Sequence, residues 1–238
     1  MIAEDYRHID APALRRLEAL APLDQTARQA LQAAIARSRK IAPRRELMIE
    51  GREVKETLLV VRGWAARIRI LSDGRRQIMN FTLPGDLVGL CGQENPVSSA
   101  TIIAMTPVAV CTAPDIAAAP ALAQAYAVSR AREEAYLLAQ IARLGRLNAH
   151  ERIADLFLEL LERLEFAGLA SHGRFVLPLT QEVLADALGL TAVHVNRMLQ
   201  QARRAGELSW QSKELVIHDP AALARQVGRA PVRVTAAG

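Results

Sequence analysis

Apolar residues recur in two different rhythms along this chain. Between residues 11 and 40, leucines at helical spacing predict one helix, which Pro43 ends. Between residues 44 and 113, short apolar runs are separated by glycines. Runs such as Ala66–Ile70 alternate with polar residues, as half-buried strands do. Many short strands with glycine turns are typical of a small antiparallel roll.

A long helix is predicted over residues 121–147, which contain no proline and no glycine before Gly145. One stripe of this helix repeats in steps of four and three and includes charged residues: Tyr126, Arg130, Glu133, Leu137, Gln140, Leu144 and Leu147. Such a stripe is either one half of a two-helix dimer interface or the packed face of a core helix, and periodicity does not separate the two. The candidate dimerisation residues are Tyr126, Leu137, Leu144 and Leu147.

Residues 179–204 predict two short helices joined by a tight turn. Thr180 and Thr191 suit the N-cap positions, where a hydroxyl accepts a hydrogen bond from a free amide of the first turn. Gly189 ends the first helix, because glycine adopts the left-handed conformation at little cost. The outward face of the second helix is polar and basic, and no acidic residue occurs from Ala187 to Gly206. This pattern favours entry into a phosphate-lined DNA groove.

Further predicted elements flank this helix-turn-helix. Residues 148–151 match a capping box with Asn in place of Ser or Thr, and they open a helix that runs through Leu164. Residues 166–173 are predicted as a loop. Residues 207–217 give a hairpin pattern, although its turn lacks glycine, and a short last helix starts at Pro220. A helix-turn-helix followed by a β-hairpin is a winged helix.

Composition and charge agree with a nucleic-acid partner without requiring one. The 238 residues are enough for two modest domains, and the net charge of +5 favours a polyanion. Two cysteines are too few for a disulfide framework. The N-terminus has no apolar signal core, and no run is long enough to span a bilayer, so we expect a cytoplasmic protein without a membrane partner.

The order of roll, long helix and winged helix-turn-helix resembles the Crp/Fnr superfamily of bacterial transcription regulators. The resemblance covers nearly the whole chain and is carried by short motifs at Gly51, 60–64, 73–78, 81–86, 147–153 and 188–197. It implies an α+β fold with a cyclic-nucleotide-binding-like antiparallel β-roll (residues 1–116), a dimerisation helix (117–148) and a winged helix-turn-helix domain (149–238). It also implies a homodimer that binds palindromic double-stranded DNA and contacts RNA polymerase.

By position, the resemblance assigns DNA contacts to six residues: Thr180, Gln181, Thr191, Val193, His194 and Arg197. Arg197 is the strongest candidate for base reading, because a guanidinium can pair with guanine O6 and N7. Val193 departs from the glutamate that many family members carry and suits a thymine methyl group instead. The operator is therefore not expected to match that of the best-known members.

The effector expected for the roll is not cyclic AMP. Members that bind it need a Glu for the ribose and an Arg for the phosphate, and Leu90 and Ser98 take these positions here. A cyclic phosphate buried without its cation would lose a charge-assisted pairing. Gly89, Ser98 and Ser99 are candidates for a pocket that holds some other polar ligand. The alternative explanation is that the two serines are simply turn residues.

Other cofactors and enzyme chemistry are disfavoured by residue content. An iron–sulfur cluster usually needs four thiolates, and no histidine between Ile9 and Ala149 is present to ligate haem or another metal in the roll. No nucleophile triad, HExxH or phosphate-loop motif is present, so we expect no enzyme. Cys91 is a candidate redox thiol or, alternatively, a small buried apolar residue. The competing function is a small-molecule-binding roll with a helical tail for protein contacts.

Overall fold

Two helices precede the first strand in the computed structural model, which describes residues 12–91 and 94–234. They are α1 (Pro12–Leu20) and α2 (Gln25–Ala36). The prediction of one continuous helix is therefore wrong, and its first residue lies outside the described part. The break has a local cause: Pro22 lacks an amide donor, and Asp24 caps α2 by accepting from the Ala27 amide at 2.8 Å.

The predicted roll consists of two four-stranded antiparallel sheets. One sheet has the order β1-β8-β3-β6 and the other β2-β7-β4-β5. The strands are β1 (Arg39–Ile41), β2 (Glu46–Met48), β3 (Leu58–Arg62), β4 (Ala65–Ile70), β5 (Arg76–Thr82), β6 (Leu87–Val88), β7 (Thr101–Ala104) and β8 (Val108–Thr112). Their aliphatic side chains form a core between the sheets, in which Val60, Ala65 and Val110 are fully buried.

Two helices connect the roll to the C-terminal part. The long helix α3 spans Leu122–Arg146, as its composition predicts. The next helix, α4, spans Ala149–Phe166 and begins with the predicted capping box: Asn148 accepts from the Glu151 amide, and the Glu151 carboxylate accepts from the Asn148 amide.

The C-terminal part contains a third antiparallel sheet, with the order β11-β12-β10-β9. Its elements are β9 (Ala170–Ser171), β10 (Arg174–Val176), α5 (Gln181–Leu188), α6 (Ala192–Arg204), β11 (Leu208–Gln211), β12 (Glu214–Ile217) and α7 (Pro220–Gln226). The predicted loop at 166–173 is wrong in part, because β9 and β10 form a hairpin. His172 and Gly173 have φ of 51° and 75°, which suits a tight hairpin turn.

The C-terminal part packs directly against the roll. Trp64, Ile78 and Phe81 of the roll share one apolar cluster with Phe157 and Leu160 of α4 and with the helix-turn-helix core. The roll and the C-terminal part are therefore joined by a continuous core.

A chain of buried ion pairs runs along α4. Asp86, immediately before β6, lies 2.7 Å from Arg16 and 2.8 Å from Arg163. Burial opposes the negative charge, but the two guanidinium groups outweigh it and lower the pKa of Asp86. Arg163 also pairs with Glu159, which pairs in turn with Arg143 of α3 at 2.6 Å.

The same chain of ion pairs reaches the C-terminal segment. Arg143 lies 2.7 Å from Asp155, and Arg229, beyond α7, contacts Asp155 at 2.9 Å and Glu162 at 3.2 Å. Arg132 of α3 pairs with Glu162 at 2.6 Å and donates to the Val232 carbonyl at 3.1 Å. The segment after α7 is thus bonded back to both α3 and α4.

Candidate nucleic-acid interface

Local hydrogen bonds set the start and end of the two interface helices. Thr180 accepts from the Val183 amide at 3.4 Å, and Thr191 accepts from the His194 amide at 3.2 Å. Between them, Gly189 ends α5 with φ of 62°, and the Leu190 amide bonds back to the Ala185 carbonyl. The predicted caps and turn are confirmed.

The exposed face of α6 is polar and basic, and it forms a concave surface together with the start of α5. Val195, Leu199 and Ala202 point into the core, which leaves the other side of the helix in solvent. The concave surface, called here the reading face, is lined by Gln181, Ala192, Val193, Asn196, Arg197, Gln200, Gln201 and Arg204. Among the residues that the structure describes, no acidic side chain lines it, so it can approach a polyanion without repulsion from those residues.

The structure brings together three of the six predicted DNA contacts. Gln181, Val193 and Arg197 lie on the reading face, and Val193 is 80% exposed. Thr180 and Thr191 are exposed at the two N-caps. His194 lies instead in a neighbouring depression beside His150.

The site prediction did not include five residues that line the reading face: Ala192, Asn196, Gln200, Gln201 and Arg204. Four of them lie three, seven, eight and eleven positions after Val193, which is the spacing of residues on one side of a helix. Asn196 is also tied to α5, because its Nδ2 donates to Gln181 Oε1 at 3.0 Å. The sequence alone gives no indication of this contact.

The β11–β12 hairpin forms the wing that the sequence predicts. Its two turn residues, Ser212 and Lys213, have φ of 50° and 70°. Both adopt the left-handed conformation that glycine usually supplies in such turns, which explains how the hairpin closes without one.

The helix-turn-helix is fixed to the roll and to α3 by polar contacts. Arg76 of β5 donates twice to Asp186 of α5, at 2.9 and 2.6 Å. The Ala187 carbonyl accepts from Gln77 of β5 at 3.4 Å and from Gln140 of α3 at 2.6 Å. The position of the reading face therefore depends on both elements.

A second cavity, of about 260 Å³, lies in the roll beside α3. It brings together the predicted residues Gly89, Ser98 and Ser99 with Leu90. Ser98 Oγ donates to the Ala100 carbonyl at 2.7 Å, so this hydroxyl is engaged within its own turn. Arg67 and Glu133, which both line the cavity, form an ion pair in which Arg67 Nη2 lies 2.5 Å from Glu133 Oε1.

The two cysteines have opposite environments. Cys91 is exposed at the edge of this cavity, so its interpretation as a small buried residue is wrong. Cys111 is the buried one, and burial raises the pKa of its thiol to about 11. The redox role of Cys91 stays a prediction.

The predicted dimer residues on α3 do not share one free surface. Tyr126 is 5% exposed, and its hydroxyl donates to the Pro114 carbonyl of its own protomer. Leu137, Leu144 and Leu147 are half-buried. The exposed apolar side chains are instead Leu138 and Ile141, at 60% and 67%. Tyr126 packs in an apolar cluster with residues of α1 and the roll, and its part in a dimer stays a prediction.

The described part of the chain contains neither a membrane-spanning helix nor a cluster of side chains placed to hold a metal ion. Within residues 12–91 and 94–234, no helix is both long and apolar enough to cross a bilayer. In the same ranges, no group of three or more His, Cys, Asp or Glu side chains is placed to hold a metal ion.

Comparison with known proteins agrees with this geometry. A family model described as a Crp-like helix-turn-helix domain matches residues 151–226, and one described as a cyclic nucleotide-binding domain matches residues 38–124. The transcriptional regulatory protein Btr of Bordetella pertussis is 30% identical over 164 residues, which cover 66% of this chain and 67% of that protein. The nitrogen fixation regulation protein FixK of Bradyrhizobium diazoefficiens is 33% identical over 167 residues, covering 68% and 70%.

A solved structure shows the same arrangement. FixK2 from Bradyrhizobium japonicum superposes with a TM-score of 0.67 at 27% identity, covering 82% of this chain and 99% of that chain. A β-roll joined by a long helix to a winged helix-turn-helix defines a DNA-binding transcription regulator. The chain belongs to the Crp/Fnr family, whose members bind DNA and act as dimers.

Proposed function

We propose that this protein is a homodimeric, sequence-specific regulator that binds a palindromic operator with one reading face per half-site. The observation that carries the proposal is the acid-free reading face, with Arg197 and Arg204 exposed beside amide side chains. Thr180 and Thr191 cap helices whose N-terminal amides suit phosphate contacts. In a symmetric dimer the two recognition helices lie about 34 Å apart along the duplex.

The proposed dimer interface lies on a stripe of α3 whose residues each follow a residue of the predicted stripe by one position. Glu134, Leu138, Ile141 and Gly145 follow one another in steps of four, three and four along α3, and all four are exposed. Leu138 and Ile141 present apolar surface that a second copy of α3 would cover. The division at residues 116 and 148, and contact with RNA polymerase, stay predictions.

We propose that the roll senses a small molecule other than cyclic AMP. Three features of the cavity argue against cyclic AMP: the Leu90 side chain offers no acceptor, the Ser98 hydroxyl is engaged by the Ala100 carbonyl, and Arg67 is already paired with Glu133. A cyclic phosphate there would have to compete with Glu133 for the guanidinium of Arg67. Thermal unfolding with saturating cyclic AMP should show no rise in midpoint.

The test of DNA binding is fluorescence anisotropy on duplexes selected from a random library, measured across salt concentrations. Affinity should fall steeply as salt rises, because phosphate contacts release counterions. Arg197→Ala should cost about 1–3 kcal/mol on the selected site and relax base preference. Arg225→Ala removes an exposed cation of α7 that lies away from the reading face, so it serves as the control. Binding that is insensitive to salt, or unchanged by Arg197→Ala, would contradict the proposal.

A further inference from the structure

The reading face carries a pair of amide side chains that are bonded to each other before any DNA is present. Asn196 Nδ2 donates to Gln181 Oε1 at 3.0 Å, across the angle between α5 and α6. An asparagine amide has two N–H donors and one acceptor oxygen. One donor is therefore committed to Gln181, and the bond fixes the plane of the amide.

The remaining polar atoms of Asn196 match one base edge. Within the described ranges 12–91 and 94–234, Asn196 Oδ1 has no partner, and the second N–H is also left for a ligand. Adenine presents an N7 acceptor and an N6 donor side by side in the major groove, the arrangement that an asparagine amide pairs with in two hydrogen bonds. Guanine presents two acceptors there, and Oδ1 would face one of them unpaired.

Two neighbours of Asn196 extend this match. All three side chains line the reading face, and Val193 lies three positions before Asn196 and four before Arg197. Side chains three or four apart on a helix lie about 5–6 Å from each other. The rise between base pairs is about 3.4 Å, so Val193 and each of the other two side chains reach base pairs within about two steps of one another.

We propose that Asn196, held by Gln181, reads an adenine, and that Val193 packs on a thymine methyl group beside the guanine read by Arg197. This inference rests on the proposed function and deepens it, because it gives the half-site an A·T step next to a G·C pair. Val193 supports it independently, because it is 80% exposed and offers only an apolar contact.

The first test is selection from a random duplex library with the full-length protein and two variants. Wild type should enrich a half-site with adenine next to guanine. Asn196→Ala should lose the preference for adenine and keep that for guanine. Gln211→Ala, an exposed amide of the wing outside the reading face, should leave both preferences unchanged.

The second test changes the DNA and leaves the protein intact. Replacing the selected adenine with 7-deazaadenine removes N7 and should weaken wild type about tenfold, with no further loss for Asn196→Ala. Replacing the neighbouring thymine with uracil removes its methyl group and should weaken binding about fourfold.

The outcomes separate the two levels of the proposal. If wild type enriches no sequence, the proposed regulator function fails and this inference fails with it. If a half-site is enriched but Asn196→Ala changes no position and 7-deazaadenine has no effect, the inference alone is overturned. Asn196 and Gln181 would then serve only to hold α5 against α6, and the variant would lower the unfolding midpoint without altering sequence preference.

Discussion

Replacing Asp86 with asparagine should destabilise the protein strongly, because two buried guanidinium groups lose the carboxylate they share and only Arg163 keeps a second one, Glu159. The Arg16 and Arg163 side chains are 4% and 3% exposed, and both lie within 2.8 Å of an Asp86 oxygen. Breaking a buried pair by removing one partner costs about 3–5 kcal/mol. Asparagine keeps the volume and can still accept from the Leu83 amide, which bonds Asp86 at 2.6 Å, so the loss measures the charge.

The assay is urea unfolding followed by far-ultraviolet circular dichroism. With a dependence on denaturant near 3 kcal/mol per molar, the midpoint should fall by about 1–2 M. Asp73→Asn is the matched control, because Asp73 pairs with Arg75 at 2.7 Å on an exposed turn and should leave the midpoint unchanged. If the two variants shift the midpoint equally, the buried network does not stabilise the fold as argued.

Three other predictions concern pH, assembly and the thiols. The difference in stability between wild type and Asp86→Asn should vanish in acid. The pKa of Asp86 is depressed in the folded state, so the stabilisation by its carboxylate is complete above the ordinary pKa of 3.8. This stabilisation is lost as the pH falls through the pKa of Asp86 in the folded protein. A loss that begins near neutral pH would contradict this. Leu138→Glu with Ile141→Glu should give monomers in analytical ultracentrifugation, and a persisting dimer would place the interface elsewhere. A thiol reagent at pH 8 should modify exposed Cys91 rapidly and buried Cys111 only after unfolding, with Cys91→Ser as the control.

Features set by neighbouring residues could be predicted from the sequence. The capping box at Asn148, the threonine caps and the glycine turn each depend on bonds within three or four residues, and all are present in the structure. The turn at Ser212 and Lys213 also forms where the alternating runs indicate it, although neither residue is glycine.

Features that depend on packing between distant segments could not be predicted. Periodicity places Tyr126 and Leu138 on two stripes of α3 that differ by one position. Only the fold shows that Tyr126 is covered by the roll and the preceding segment, whereas Leu138 is exposed. The bond from Asn196 to Gln181 likewise depends on the angle between two helices, which no spacing within one helix encodes.

The buried ion pairs limit how freely the two halves of this protein can be recombined with relatives. A winged helix-turn-helix grafted from here onto another sensor would keep Asp155, Glu159 and Glu162 but lose Arg132 and Arg143, which come from α3. Asp155 and Glu162 would then share Arg229 alone and Glu159 would keep Arg163, so three carboxylates at the junction would face two guanidinium groups. Domain-swapped reporters built from this chain should therefore carry α3 together with α4 and the segment through Val232, because these parts form one electrostatic unit.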